Sequence, residues 1–217
     1  MGLQEDAGPE QNFAESLAAL CSADPLLQPI IEAAGPLPPR QGRPGFEGLA
    51  ATVVSQLVSR RSAEAIWQRL LDATGPVSAS SYLAVGRGQG PRLGLTAAKA
   101  DTLVRVAEAI IEGGLDLDSI ARLPAERALS ALTAIKGIGQ WTAEVHLLFN
   151  AGHQDIFPAG DLALRIAAGE ALGLGPRPDA AVLRSISARW SPHRSVAARL
   201  LWAYYGRIIR PGGAVLP

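Results

Sequence analysis

Cysteine is almost missing from this chain: among 217 residues only Cys21 is one. A single thiol excludes an internal disulfide, and also a zinc or iron–sulfur site built from this chain's own cysteines. Histidine is nearly as scarce. His146, His153 and His193 are the three present, and no two stand at the helical spacing of a metal-binding pair. Apolar runs are short: none reaches about 18 residues, so no membrane span is expected. Met1 to Glu10 is acidic and has no apolar signal core, which points to a cytosolic protein. Also absent are sequence repeats and any convincing period-two alternation, so strands are not expected.

Hydrophobic residues make up 48% of the chain, enough for a sizeable core in one large domain or two small lobes. The formal net charge of zero hides an asymmetry. Glu5, Asp6, Glu10, Glu15, Asp24 and Glu32 are the charged residues before position 40, so residues 40–217 hold all 20 bases against 14 acids. That mildly basic remainder permits nucleic-acid binding without requiring it. Arginine outnumbers lysine 18 to 2; a GC-rich genome accounts for that bias, and no function is read from it.

Periodicity predicts an all-α fold of roughly ten helices. Residues 1–11 read as a frayed end, Phe13–Cys21 and Pro25–Ala34 as short helices, and the Pro/Gly-rich stretch Gly35–Gly45 as a loop. Apolar residues at Phe46, Leu49, Ala50, Val53, Val54 and Leu57 predict a buried-face helix over Phe46–Ser59. Ser62 opens a helix to Ala73, and Ser78–Val85 is another. Gly86–Gly94 reads as a loop, Thr96 caps a long helix through Ile111, and Asp118 caps a short turn. Pro124 sits in the first-turn position that proline prefers. Further helices are expected over Thr142–Asn150, Asp161–Leu172, Pro178–Trp190 and His193–Ile209.

The stretch Ala134-Ile-Lys-Gly-Ile-Gly-Gln-Trp-Thr-Ala143 stands between two such segments. Each glycine costs about 1 kcal/mol in a helix relative to alanine. Gly137 and Gly139 therefore mark a tight turn where the backbone approaches something closely. Amide groups at such a turn, opening onto a helix N-terminus, form an anion site for which a DNA phosphate is one candidate. An ordinary helix–turn–helix connection is the plainer alternative.

Asp161 follows Trp141 by 20 residues, in Phe157-Pro-Ala-Gly-Asp161. It suits a helix N-cap. The same geometry would hold an ionised carboxylate in place to stabilise an oxocarbenium-like sugar or steer a water. Trp141 is either a core aromatic or the wall of a pocket for a flipped base, where a cationic alkylated base would gain from cation–π attraction. Trp202 is a second such candidate, whereas Trp67 lies in an amphipathic helix and reads as core. Gln56 and Leu57, ahead of Arg60-Arg61, are either ordinary helix residues or a DNA-facing glutamine and an apolar wedge for the gap left by an extruded base.

Five stretches stand in order: Phe46-Glu47 with Ser55-Gln-Leu-Val-Ser59, Arg92-Leu-Gly-Leu-Thr96 with Lys99, Leu132–Ala143, Phe157–Asp161, and Trp190-Ser-Pro-His-Arg-Ser195 leading to Trp202. In these the chain resembles the helix–hairpin–helix DNA glycosylases, and within them the 3-methyladenine DNA glycosylase II (AlkA-like) group, from about Asp24 to Tyr205. The resemblance implies a single catalytic unit of two helical lobes with the active site in the cleft between them. One lobe takes residues 46–155, including the hairpin 125–150, and the other takes 12–45 with 156–217; the extra N-terminal β domain of some relatives is not expected.

By the same resemblance Asp161 matches the catalytic aspartate, and Trp141, Trp202 and Val145 belong to the base pocket. Gln56, Leu57, Ser59, Lys136, Gly137, Ile138, Gly139 and Thr142 would contact DNA, with Leu57 as the wedge and the amides of Gly137, Gly139 and Thr142 on a phosphate. No cofactor is implied for the chemistry. A monovalent ion or Mg2+ at the hairpin, held by the backbone carbonyls of Thr133, Ile135 and Ile138, would aid the phosphate contact. The implied partner is damaged double-stranded DNA, met by a monomer in the cytoplasm at the bacterial nucleoid, with no membrane role.

Three positions depart from the family pattern. Val145 replaces a frequent aromatic, His193 a frequent tryptophan, and Lys136 a frequent proline. Trp141 stands where bifunctional relatives place a nucleophilic lysine, so no Schiff base with the sugar can form there. Lys136 lies five residues earlier, on the wrong side of the turn to substitute. A monofunctional glycosylase releasing 3-methyladenine- or 7-methylguanine-type bases is therefore expected. The competing readings are a glycosylase/lyase acting on other damaged bases, a non-enzymatic helix–hairpin–helix DNA-binding module, and a purely structural helical protein.

Overall fold

The structure, a computed structural model, describes residues 9–37 and 42–211. Among these residues the regular elements are helices, and no strand occurs. The frayed end expected over residues 1–11 falls mostly outside them, but from Pro9 the chain is already helical, through Ala23. Contacts divide the described chain into two units. Residues 9–37 join 154–211 in one, and 42–153 form the other.

In the first unit, helix Arg194–Tyr204 is the central element. Val196, Ala197, Leu200, Leu201 and Trp202 along it are all buried. It packs against helices Pro9–Ala23, Gln28–Ala34 and Leu162–Ala171. Leu20, Leu27, Leu164 and Leu183 complete that core. Asp24 is buried, yet it accepts from the indole N–H of Trp190 at 2.7 Å and faces the Arg189 guanidinium at 2.9 Å. A buried acceptor without such donors would cost about 1–3 kcal/mol.

The second unit is built around helices Gly45–Ser55 and Ala97–Ile111, which pack on one another. Leu49, Val53, Leu103, Val106 and Ala107 are fully buried there. Helix Arg60–Thr74 adds Leu70, and helix Ala125–Thr133 adds Ala128 and Leu132. Short side chains with oxygen acceptors start these helices. Ser59, Ser78 and Thr96 accept from the amides of Ser62, Ser81 and Lys99. Such caps are each worth about 1 kcal/mol.

Several boundaries differ from expectation, each for a local reason. The helix predicted over Phe46–Ser59 stops at Ser55, because Gln56 turns extended (ψ 127°) and Leu57 enters the left-handed region (φ 53°). The next helix starts at Arg60, not Ser62, since Ser59 is its cap. Asp116 rather than Asp118 caps the short helix Leu117–Ala121, its carboxylate accepting from the amides of Asp118 and Ser119. A four-residue helix, Gly90–Leu93, lies inside the expected glycine-rich loop. The segment after the hairpin is α-helical over Gln140–Val145 and then widens into a π-helical turn, His146–Ala151. The last helix ends likewise, in the π-helical turn Tyr205–Ile209. Among the described residues no helix is long and apolar enough to cross a membrane.

Candidate active site

In the first unit, Asp161 ends a tightly wound loop. The amide of Ala159 donates to Phe157 O at 2.8 Å and that of Asp161 to Pro158 O at 2.9 Å. Residues Ile156 to Ala159 are buried, with the Phe157 ring against Trp190 at 5.4 Å. Asp161 is the N-cap of helix Leu162–Ala171, and its Oδ1 accepts from Leu164 N at 3.1 Å. The same oxygen accepts from the indole Nε1 of Trp202, also at 3.1 Å. The cap expected from the sequence and the carboxylate expected for chemistry are thus one arrangement.

Trp202 is 2% exposed. A buried tryptophan needs a partner for its N–H, and here that partner is the carboxylate. Trp202, expected as a pocket wall, holds Asp161 through its N–H. Upstream, Asp155 takes a two-pronged contact from Arg194 at 2.7 and 3.0 Å and accepts from the Ser191 hydroxyl at 2.8 Å. Ser195 Oγ receives Ile156 N at 2.9 Å and donates to Ile156 O at 3.2 Å. Burial alone would raise the Asp155 carboxyl; hydrogen bonds from Arg194 and Ser191, with the Arg194 charge, outweigh it and hold the group below its ordinary value.

In the second unit, the hairpin joins helix Ala125–Thr133 to helix Gln140–Val145. Ile138 is buried and plugs the turn, while Lys136, Gly137 and Gly139 are exposed. Ile138 therefore offers only its backbone outward. Gly137 has φ 103°, and a Cβ there would lie 1.9 Å from Thr102 Oγ1, so both backbone and space require glycine. At Gly139 a Cβ would meet none of the described residues within 4 Å. Gly139 is the N-cap of the following helix, and no side chain caps it. A close approach by a ligand to that helix start is the use that glycine leaves available.

Trp141 is half-buried in the first turn of that helix, and Val145 one turn on is buried. Thr142, expected at DNA, is buried, and its hydroxyl accepts from Gln56 Nε2. Gln56, expected to approach DNA, spends its amide on this contact within the unit. Ser59 likewise uses its hydroxyl on Ser62 N at 3.2 Å. Leu57 differs: it is fully exposed and holds a positive φ that leucine rarely adopts.

Lys99, quoted in the sequence only as part of a motif, donates to Val54 O at 2.8 Å and Gln56 O at 2.7 Å. Its signal was available, as one of two lysines in an arginine-rich chain. For the hairpin ion, no cluster of three His, Cys, Asp or Glu side chains occurs among the described residues. Backbone carbonyls remain as donors. Ile135 O already accepts Ile138 N at 2.9 Å, and a carbonyl keeps a second lone pair. The donor type suits a hard cation.

Compared with models of protein families, the chain matches none. Compared with individual proteins, it is 32% identical over 175 residues to DNA-3-methyladenine glycosylase 1 of Schizosaccharomyces pombe, covering 76% of this chain and 77% of that protein. The structure is similar to a crystal structure of a DNA-3-methyladenine glycosidase from Bacillus halodurans, with a TM-score of 0.79 and 29% identity over 90% of this chain and 91% of the other. It is also similar to a 3-methyladenine DNA glycosylase of Schizosaccharomyces pombe in complex with abasic DNA, with a TM-score of 0.75 and 27% identity over 88% and 95% of the two chains. With identity spread over three quarters of both proteins, and the hairpin and capped aspartate in place, the chain belongs to the helix–hairpin–helix DNA glycosylases, in the AlkA-like 3-methyladenine group.

Proposed function

We propose that this chain is a monofunctional DNA glycosylase of base excision repair, hydrolysing the N-glycosidic bond of 3-methyladenine- and 7-methylguanine-type bases in duplex DNA. The observation that carries this reading is Asp161, held at a helix start by Leu164 N–H and the Trp202 indole. The similar Schizosaccharomyces pombe structure contains abasic DNA, the product form, and supports DNA as this chain's partner.

In the proposed mechanism, the amides around Gly137 and Gly139 take a phosphate, with Lys136 adding charge. Thr142 contributes its amide alone, since its hydroxyl is engaged. The carbonyls of Thr133, Ile135 and Ile138 would hold the hairpin ion, whose positive charge would favour the phosphate. Leu57 fills the stack as the damaged nucleotide turns out. Trp141 offers its ring face to the base, and Val145 sets the depth behind it. Alkylation at N3 or N7 makes the base cationic and a good leaving group. The C1′–N bond breaks with its electron pair going to the departing base, Asp161 stabilises the sugar cation, and water adds at C1′ and loses a proton to solvent, leaving an abasic site. Trp202 acts on Asp161 rather than on the base. With Trp141 in the lyase lysine's position, the reaction stops there. The enzyme acts as a monomer in the cytoplasm.

Asp161→Asn tests the reading. Single-turnover release of 3-methyladenine should fall on the order of 10²- to 10³-fold or more, while duplex binding stays within about threefold. Retained excision would overturn the assignment. A borohydride-trapped protein–DNA adduct in the wild type would favour the lyase reading instead.

A further inference from the structure

One face of helix Ala97–Ile111 carries Lys99, Thr102 and Arg105 at three-residue spacing, so the three side chains stand above one another. Each touches a different part of the DNA-facing region. Lys99 Nζ donates to Val54 O and Gln56 O, at 2.8 and 2.7 Å, where helix Gly45–Ser55 ends. Thr102 fills the space beside Gly137. Arg105 Nε donates to Lys136 O at 3.2 Å, in the hairpin turn. The Gln56–Thr142 hydrogen bond ties the two parts together directly.

The Leu57 loop needs such support. Leucine at φ 53° is strained, and the fully exposed side chain repays none of that strain by burial. A helix end that merely had to stop would use glycine in this conformation. Here the chain keeps leucine and brings in a cation from 42 residues away. An ammonium is well placed at a helix C-terminus, where carbonyls point outward. Burial pushes the Lys99 pKa below its ordinary value, and the two carbonyl contacts favour its charged form.

We infer that Lys99 is a positioning residue for base extrusion. By bracing the carbonyls of Val54 and Gln56, it keeps Leu57 presented as a wedge, in fixed register with the hairpin turn that the same helix face supports. The inference rests on the reading of Leu57 as the wedge.

The test compares wild type, Leu57→Ala, Lys99→Met and the double variant in single-turnover excision of 7-methylguanine. One substrate has the lesion fully paired in duplex, the other opposite an abasic site, where the stack is already open. Lys99→Met should slow excision in paired duplex by about tenfold, and by less than about twofold opposite the abasic site. The double variant should be no slower than Leu57→Ala alone, because Lys99 acts through Leu57. Lys99→Gln, which keeps a neutral N–H donor group, should recover part of the rate, and it serves also if Lys99→Met does not fold. An equal loss on both substrates, or losses that multiply in the double variant, would overturn the inference and leave the wedge reading standing. If Leu57→Ala alone excises the paired lesion at the wild-type rate, the wedge reading falls and this inference with it.

Discussion

The loop that ends in Asp161 and the loop that carries Leu57 each deliver one side chain, and they are held by opposite means. Residues Asp155 to Asp161 are fastened along helix Arg194–Tyr204, with Arg194 on Asp155, Ser195 on Ile156 and Trp202 on Asp161. The functional side chain is itself part of that fastening. Around Leu57 the backbone is fastened instead, by Lys99 on two carbonyls and by the neighbouring Gln56 side chain, and the leucine stays fully exposed. A carboxylate that must sit still beside developing charge gains from every donor around it. A wedge that must leave the protein surface and enter a base stack can have no such contacts, so its conformation has to be set from behind.

If that contrast is right, the two loops fail differently. Asp161→Asn, with the largest expected effect, should abolish chemistry and leave binding; changes at Leu57 should spare chemistry once the base is already unstacked. A Leu57 variant with the same loss on paired and unstacked lesions would erase the distinction.

Acid should separate the units next. In the second unit, burial pushes His146 down to about 4, and among the described residues no group hydrogen-bonds its Nδ1. The unfolded chain titrates near the ordinary 6.5, so protonation favours unfolding. This stabilisation is complete above pH 6.5 and is lost as pH falls through about 4, by about 3 kcal/mol in all. In the first unit, Asp155 lies below its ordinary 3.8. Its contribution is complete above that value and disappears only at lower pH. Urea midpoints should therefore drop in two stages as pH is lowered from 7.5, the second only below 3.8. His146→Leu should remove the upper stage alone, and Asp155→Asn the lower. A single stage insensitive to His146→Leu would refute the assignment.

Trp202→Phe probes the fastening of Asp161. A hydrogen bond to a charged group is worth about 1.5–3 kcal/mol, so the excision rate should fall roughly tenfold or more. KM should hardly change, because the indole does not meet the base in this reading. A rise in KM at constant kcat would return Trp202 to the pocket wall that the sequence suggested.

What the sequence made legible was local. Asp161 as a helix start, Thr96 as a cap and the glycine turn at Gly137 depend on neighbours within a few positions, and propensity reads such features directly. The premature end of the first hairpin-unit helix at Ser55 was not legible, because the apolar run continues through Leu57 and Val58. Gln56 and Leu57 break it by their backbone angles, and Lys99, 45 residues away from Val54, holds the carbonyls at that end. Trp202 was placed in a pocket for its ring, and nothing in the sequence signalled that its N–H reaches 41 residues back to Asp161. Gln56 was expected to approach DNA and Thr142 to offer its amide to a phosphate, and their side chains meet each other across 86 residues of sequence. In each case the deciding contact is long-range, and its partner has no signature of its own.

The smallest effect is the most specific to the contrast. Leu57→Gly removes a side chain that buries nothing and places in the left-handed region the residue that tolerates it. Relief of the strain outweighs the added freedom of the unfolded chain, so the variant should be more stable than wild type by about 0.5–1 kcal/mol. Excision from paired duplex should nevertheless fall, as for Leu57→Ala. Gain in urea midpoint with loss of activity would mark Leu57 as a residue kept against stability for its work on DNA. Destabilisation by Leu57→Gly would mean instead that the leucine stabilises its own loop, and the claim that this loop is held only from behind would fail.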